Sequence, residues 1–325
     1  GNTRSSIEPY LTFSNQRNLR EKAFDIFIKR GDNKNENDTN ETLVSILKLR
    51  AEKAKILGFN NFAEWSLSDK MAKDPQKTLD LMHSVWKPAV DKVKNDVAAM
   101  QQMVDREGGN FKIQPWDYRF YAEKVRKEKY DLDQNEIKQY LQLENLRESM
   151  FWTAGELFDL GFKQLFDIPV YHEDVRVWEV NNKNTGEPIG LWYFDPYARI
   201  GKRSGAWMNS HRDQQKINGK ALPIVSNNCN FIKGNSDEPT LISWDDATTL
   251  FHEFGHALHG LCSNVTYPSL SGTSVARDYV EFPSQLLEHW LATPEVLNRF
   301  ALHYKTNEPL SQSLLEKIEK AASFN

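Results

Sequence analysis

Cysteine is scarce. Cys229 and Cys262 are the only two in 325 residues, which excludes a disulfide framework and suits a reducing compartment. We therefore expect a cytoplasmic protein, with the periplasm as the alternative. No run of 18 apolar residues occurs, and the opening GNTRSSIEPY has neither the charged start nor the apolar stretch of a secretory signal, so nothing points to a membrane. The start at Gly1 is expected to follow further chain upstream. A positive excess is missing as well. With 41 Lys and Arg against 45 Asp and Glu the formal charge is −4, which removes the case for nucleic acid as a partner, because phosphate binding needs a basic surface. Internal repeats and low-complexity tracts are also absent, which argues against a solenoid or a disordered tail. What remains is 39% hydrophobic and 12% aromatic content, ample for the core of one or two domains in a monomer.

From Asn15 to about Gly161 apolar residues return at three and four (Leu43, Ile46, Leu47; Leu79, Met82, Val85) amid heavy Lys and Glu decoration, which predicts five or six helices. GDNKNENDTNET (Gly31–Thr42) reads as a polar loop whose Asp and Asn residues cap the next helix. The run AEKVRKEKYDLD (Ala122–Asp133) alternates in sign and reads as a solvated helix. From Phe166 the rhythm changes to short β segments. VRVWEV (Val175–Val180), GLWYFD (Gly190–Asp195), GAWMN (Gly205–Asn209) and LPIVSNNCNF (Leu222–Phe231), divided by NNKNTGEP and GNSDEP turns, predict a small, mainly antiparallel sheet. After a loop containing Gly272, helices resume near Glu281, with Pro283 at a helix start or a kink. The fold class is thus mainly α with a small antiparallel β-sheet, an α+β chain. It divides into a helical region, 1–165, and a second region, 166–325, holding the sheet (170–235) and two helices of interest (245–260 and 278–292).

The first of those helices carries LFHEFGHALHGL (Leu250–Leu261). His252 and His256, four residues apart, share a helical face with Cβ atoms ~5–6 Å apart, which suits two Zn–N bonds of ~2.0–2.1 Å to one ion. Glu253 then lies beside the metal, placed to take a proton from a water in the open coordination position, the general-base role of a metalloprotease. Ser243, Asp245 and Asp246 are cap candidates, Gly260 is a terminator candidate, and Leu250, Phe251, Phe254, Ala257 and Leu258 make the helix a buried one.

A catalytic zinc takes three protein ligands and keeps one position open, so another residue must complete the set. An extended metzincin motif would place Gly at 259 and His at 262, where this chain has His259 and Cys262. His259 is one turn too far along and reads as a polar neighbour of the site or a solvent-facing side chain; Cys262 reads as a small buried thiol. The other candidates lie in RDYVEFPSQLLEHW (Arg277–Trp290), where Glu281 and Glu288 are seven apart on one face with Gln285 between them. One acid can bind zinc while another orients a ligand histidine, and spacing does not choose between them.

HEFGHALHGL followed by LSGTSVARDYVEFPSQLLEHW resembles the signature of the thimet oligopeptidase family of zinc peptidases, of the gluzincin type. NFAEWSLSDKMAKDP, PWDYRFYAEKVRKEKYDLD, FDIPVYHEDVRVWEV, SGAWM and LPIVSNNCNF are similar to bacterial members in the same order, so the likeness runs from near Asn15 to Asn325. It implies that His252, His256 and Glu281 bind one zinc ion per chain and that Glu253 is the base. It also implies a prolate helical molecule with the zinc at the floor of a deep channel, residues 1–165 forming one wall. The implied activity is release of dipeptides from short peptides with free C-termini. The alternatives are an endo-acting oligopeptidase of the same family and a non-catalytic helical peptide-binding protein.

Substrate contacts follow from the same reasoning. An extended peptide is expected to pair with an edge strand, for which SGAWM (Ser204–Met208), and so Gly205 and Ala206, is the candidate. A terminal carboxylate needs cations or hydroxyl donors, and Arg199, Lys202, Arg203 and Arg277 are available. Family members carry a downstream segment with His and several Tyr, whereas this chain stops at SFN (Ser323–Asn325). We therefore expect a fragment that hydrolyses little, since losing one oxyanion donor costs ~10²–10³ in turnover.

Overall fold

The computed structural model of the chain describes residues 4–130, 133–234 and 238–322. The chain end at Ser323–Asn325, part of the GNSDEP turn (235–237) and two residues of the charged run (131–132) lie outside the described residues. Eight helices come first: α1 (Arg4–Phe13), α2 (Arg17–Ile28), α3 (Asn40–Ile56), α4 (Phe62–Leu67), α5 (Pro75–Arg106), α6 (Pro115–Tyr130), α7 (Gln134–Lys138) and α8 (Leu143–Phe158). Five strands follow: β1 (Leu160–Leu165), β2 (Arg176–Asn182), β3 (Pro188–Tyr197), β4 (Trp207–Arg212) and β5 (Ile224–Phe231). Four helices complete the order: α9 (Trp244–Leu261), α10 (Glu281–Leu291), α11 (Pro294–Phe300) and α12 (Gln312–Ala322). The helices beyond the expected five or six are α4 and α7, of 6 and 5 residues, too short to show a helical period. No helix among the described residues is long and apolar enough to cross a membrane.

The chain forms two compact units. The first comprises Gly1–Asp131, Ala276–Asp278 and Lys320–Asn325. Its best-packed part sets Met100, Met103 and Val104 of α5 against Phe120, Tyr121, Ala122 and Val125 of α6. Asp74 accepts a hydrogen bond from the Gln76 N–H at the start of α5, and Pro75 follows at the first helical position, where its missing N–H costs nothing. A buried charge cluster sits beside this core. Asp117 is fully buried and receives the guanidinium of Arg20 at 2.8 Å and that of Arg17 at 2.8 Å. Arg20, also buried, donates further to the carbonyls of Ser14 at 2.7 Å and Trp116 at 3.2 Å, and its guanidinium lies 4.2 Å from the Phe120 ring centre. A paired charge so satisfied is tolerable; an unpaired one is not.

The second unit comprises Leu132–Val275 and Tyr279–Glu319 and contains the sheet, in strand order β1-β2-β3-β5-β4. The expected antiparallel pairing holds for β1–β2, β2–β3 and β4–β5, but β3–β5 is parallel, so the sheet is mixed. After β3 the chain runs out to the edge, forms β4, and returns so that β5 fills the gap beside β3. β1 has no counterpart in the sequence reading; its signal was Leu160 and Phe162 alternating with Gly161 and Lys163. An aromatic cluster joins helices to sheet: Phe151 of α8 stacks on Phe162 at 4.1 Å and meets Trp192 edge-on at 5.3 Å, and Trp192 meets Phe254 of α9 edge-on at 5.5 Å. Such pairs contribute ~0.5–1.5 kcal/mol each beyond their buried area.

Replacing Asp117 by Ala should strand the buried Arg20 guanidinium. We expect the first unit to lose about 3–5 kcal/mol, read as an earlier urea transition, whereas a midpoint close to that of the parent chain would contradict the pairing.

Candidate metal centre

α9 begins where the sequence placed it. Ser243 accepts a hydrogen bond from the Asp246 N–H at 3.0 Å, and Asp246 accepts one from the Ser243 N–H at 3.2 Å, a reciprocal capping box. Its apolar face is buried: Leu250, Phe251, Phe254, Ala257 and Leu258 all lie in the core. Gly260 does not end the helix. It lies inside α9, where a Cβ would come 3.0 Å from the Val225 side chain, and the C-cap is Cys262. Cys262 is exposed there, not the buried thiol expected.

The opposite face carries the two imidazoles, half-buried, with ring centres 4.9 Å apart. Their Nε2 atoms converge on one oxygen: Oε2 of Glu281 lies 3.2 Å from His252 Nε2 and 3.0 Å from His256 Nε2. The ligand atoms of His252, His256 and Glu281 all fall within 4.8 Å of one another, the one such grouping of metal-binding side chains among the described residues. Corners of a tetrahedron with ~2.0–2.1 Å bonds are ~3.3 Å apart, so this donor set fits a single zinc-sized ion with a carboxylate and two imidazoles. Glu288 takes the other ring nitrogen of His252, its Oε1 at 2.6 Å from Nδ1, which fixes the ring and leaves Nε2 free to ligate. Spacing puts the two acids on one face; here Glu281 meets the Nε2 side of the imidazole pair and Glu288 the Nδ1 side of His252.

Glu281 reaches the imidazoles because α10 lies very close to α9. A Cβ on Gly255 would come 2.6 Å from the Cα of Ser284 and 3.2 Å from the carbonyl oxygen of Pro283, so glycine alone permits the approach. Ser284, fully buried, has its hydroxyl 2.9 Å from the Glu281 carbonyl oxygen and 3.2 Å from Glu281 Oε2, and shares its proton between them. Pro283 falls in the first turn of α10, where a proline is tolerated. Sequence reasoning passed over Gly255, although a glycine in the interior of a buried helix is itself a sign of close backbone approach.

Glu253 is buried beside this group at 7% exposure. Burial pushes its carboxyl up to about 7, the negative charge of Glu281 adds to the rise, and His252 and the Met208 backbone N–H oppose it. A cation at the site would oppose it too. Burial also pushes the His256 imidazole down, towards the neutral form that ligates metals, against the pull of Glu281. Asn227 of β5 anchors the helix from below: its Oδ1 accepts the Trp192 indole N–H at 2.7 Å and its amide donates to the Glu253 carbonyl at 2.5 Å. That residue was also missed, and no local pattern marks it.

The other expected residues are placed as follows. His259 is half-buried, outside the ligand grouping, and its Nδ1 is buried without a hydrogen-bond partner among the described residues. Gln285 is exposed. β4 is the edge strand of the sheet but starts at Trp207, so Gly205 and Ala206 lie just ahead of it. Arg199 and Lys202 are both spent on the buried Asp195, at 2.7 and 2.9 Å, and Arg203 lies 5.1 Å from the Trp207 ring centre. Arg277 is exposed.

Residues 10–325 match the model of Peptidase family M3. The chain is 43% identical to the dipeptidyl carboxypeptidase of Escherichia coli over 319 residues, which cover 98% of this chain and 46% of that protein. It is 34% identical to the oligopeptidase A of the same organism over 326 residues, 98% of this chain and 48% of that one. Saccharolysin of Saccharomyces cerevisiae is 30% identical over 298 residues, 87% of this chain and 42% of its own length. The chain therefore spans about half the length of the curated relatives it matches.

Substituting Ala for Gly255 should wedge α9 from α10 and cost about 1–3 kcal/mol, seen as a lower unfolding temperature. An unchanged unfolding temperature would mean that the two helices do not make this contact.

Proposed function

Given that the chain belongs to peptidase family M3, we propose that it carries the zinc centre of a peptidase that releases dipeptides from the free C-termini of short peptides. The observation that carries this reading is the convergence of His252 Nε2 and His256 Nε2 on one oxygen of Glu281, with the buried carboxylate of Glu253 next to His252 on the same helix. In this reading His252, His256 and Glu281 hold one zinc ion per chain, and Glu288 fixes the tautomer of His252. Zinc bound by three protein ligands supplies an open position and Lewis-acid polarisation of water and of the scissile carbonyl. Glu253 takes the proton of the attacking water and delivers it to the leaving amine. Its position beside the imidazole pair suits both tasks, and its burial favours proton uptake while a bound cation would favour release.

Substrate backbone is assigned to the edge strand β4. Its residues Asn209, Ser210, His211 and Arg212 are exposed, and Gly205 and Ala206 lead into it. The N–H of Met208, in the same strand, faces Glu253, so a peptide added along β4 would run beside the base. For the terminal carboxylate we retain Arg203, since Asp195 occupies Arg199 and Lys202. Both cysteines are free, which favours a reducing compartment, the cytoplasm. We assign a monomer.

A second reading within the family is an enzyme that cuts internally, favoured by the 34% identity to oligopeptidase A. Amidating the C-terminus of a short substrate separates the two: a dipeptide-releasing enzyme should lose cleavage, and an endo-acting one should keep it. For the base, Glu253→Gln in a polypeptide of the length of its M3 relatives should keep about one zinc per chain while turnover falls by ~10²–10⁴. Turnover surviving at the parent level would remove Glu253 from the role. His252→Ala should instead lose the zinc, measured by metal analysis after dialysis.

A further inference from the structure

We propose that the turn Arg199–Gly205 is a fixed stop at the start of the edge strand β4, closing the substrate path two residues beyond the scissile bond, with Asn230 as its positioning residue. The proposal rests on the dipeptide-releasing reading above and on the edge strand assigned there. All of its residues lie in the second unit. A peptidase that releases a fixed number of residues has to count them, and something rigid must end the groove for it to do so.

The turn is held from two sides. On one, Asp195, near the end of β3 and 1% exposed, takes the Arg199 guanidinium bidentately at 2.7 and 2.8 Å. Lys202, its side chain 3% exposed, places its ammonium 2.9 Å from the same carboxylate and 2.8 Å from the carbonyl oxygens of Asp195 and Tyr197. On the other side Asn230 of β5 donates its amide to the carbonyls of Arg203 at 2.8 Å and Gly205 at 2.7 Å. Two residues back on β5, Asn228 donates to the Trp207 carbonyl at 3.2 Å, which carries the same grip into β4. Charge-assisted hydrogen bonds on a buried carboxylate hold one turn geometry, whereas a surface loop without them is mobile.

The position of the turn sets the count. The Met208 N–H faces Glu253, so the scissile bond is placed opposite Met208. Antiparallel pairing is the more stable mode, and it puts the C-terminus of an added peptide at the start of β4. Trp207 and Ala206 then lie alongside the residues beyond the cleaved bond. Gly205 leaves the extended path, with a φ of 95° in the region that favours glycine, and Asn230 holds its carbonyl. The path therefore has room for two residues before the turn. Arg203 belongs to this end: exposed, with its guanidinium 5.1 Å from the Trp207 ring centre, it can receive a terminal carboxylate. An endo-acting peptidase needs the opposite, a turn that a longer chain can push aside. The competing reading is that the clamp stabilises the sheet edge and nothing else.

Product length separates the two. In a polypeptide of the length of its M3 relatives, the parent and Asn230→Ala are given peptides that carry two, three or four residues after one susceptible bond, and the products are identified by mass spectrometry. The parent should cleave the peptide with two residues after the bond in strong preference to the others. Asn230→Ala should raise kcat/KM for three residues relative to two about tenfold, at unchanged zinc content. A purely structural role lowers cleavage of every peptide alike, so a ratio in Asn230→Ala equal to that of the parent overturns the proposal. If the parent itself shows no preference for two residues, the dipeptide-releasing reading has failed and the proposal goes with it. Should Asn230→Ala not fold, Asn230→Asp, which removes the donors and keeps the shape, is held to the same criteria.

Discussion

Two helices pressed together through a glycine bring the candidate metal-binding side chains into one place. α9 supplies two imidazoles and a buried carboxylate, α10 supplies the third donor, and Gly255 lets the second helix come within 2.6 Å of where a Cβ would lie. The approach brings Glu281 Oε2 to 3.0 and 3.2 Å from the two Nε2 atoms. It also buries Ser284, whose hydroxyl is shared between the Glu281 carbonyl and the same carboxylate oxygen. The rest of the second unit serves this contact. The capping box fixes where α9 starts, the aromatic cluster around Trp192 holds its apolar face to the sheet, and Asn227 binds its backbone at Glu253.

Three carboxylates near one pair of imidazoles sit in different surroundings. Glu288 sits on the far nitrogen of His252. Glu281, half-exposed at a helix start, faces both near nitrogens and has the geometry of a ligand. Glu253, buried on α9 with its own backbone carbonyl tied to Asn227, has a raised proton affinity instead. In the proposed reading, differences in solvation and in neighbouring charge separate a ligand, an orienting group and a proton carrier of one residue type.

Much of this was legible in the sequence, and the parts that were not have physical reasons. His252, Glu253 and His256 were readable because a helix converts a four-residue spacing into a shared face. The roles of Glu281 and Glu288 were not divisible by spacing, since seven residues put both on one face and only the crossing of α9 and α10 decides which reaches the metal side. The strands β2, β3, β4 and β5 showed their alternation, whereas β1 was hidden directly behind α8 in Leu160–Leu165, with the left-handed Asp159 alone as the turn between them. The parallel pairing of β3 and β5 depends on the path taken by the chain between them, which no local pattern encodes. Glycine usually ends a helix at a position such as Gly260; here close packing against Val225 accounts for it inside α9.

The central claim is a single ion held by His252, His256 and Glu281. X-ray absorption at the zinc edge of the zinc-loaded chain tests it most directly. The account predicts a first shell of nitrogen and oxygen only, at ~2.0–2.1 Å, with the outer-shell scattering of two imidazoles. A sulfur neighbour at ~2.3 Å, which would bring Cys262 into the shell, or the scattering of one imidazole or three, would contradict it.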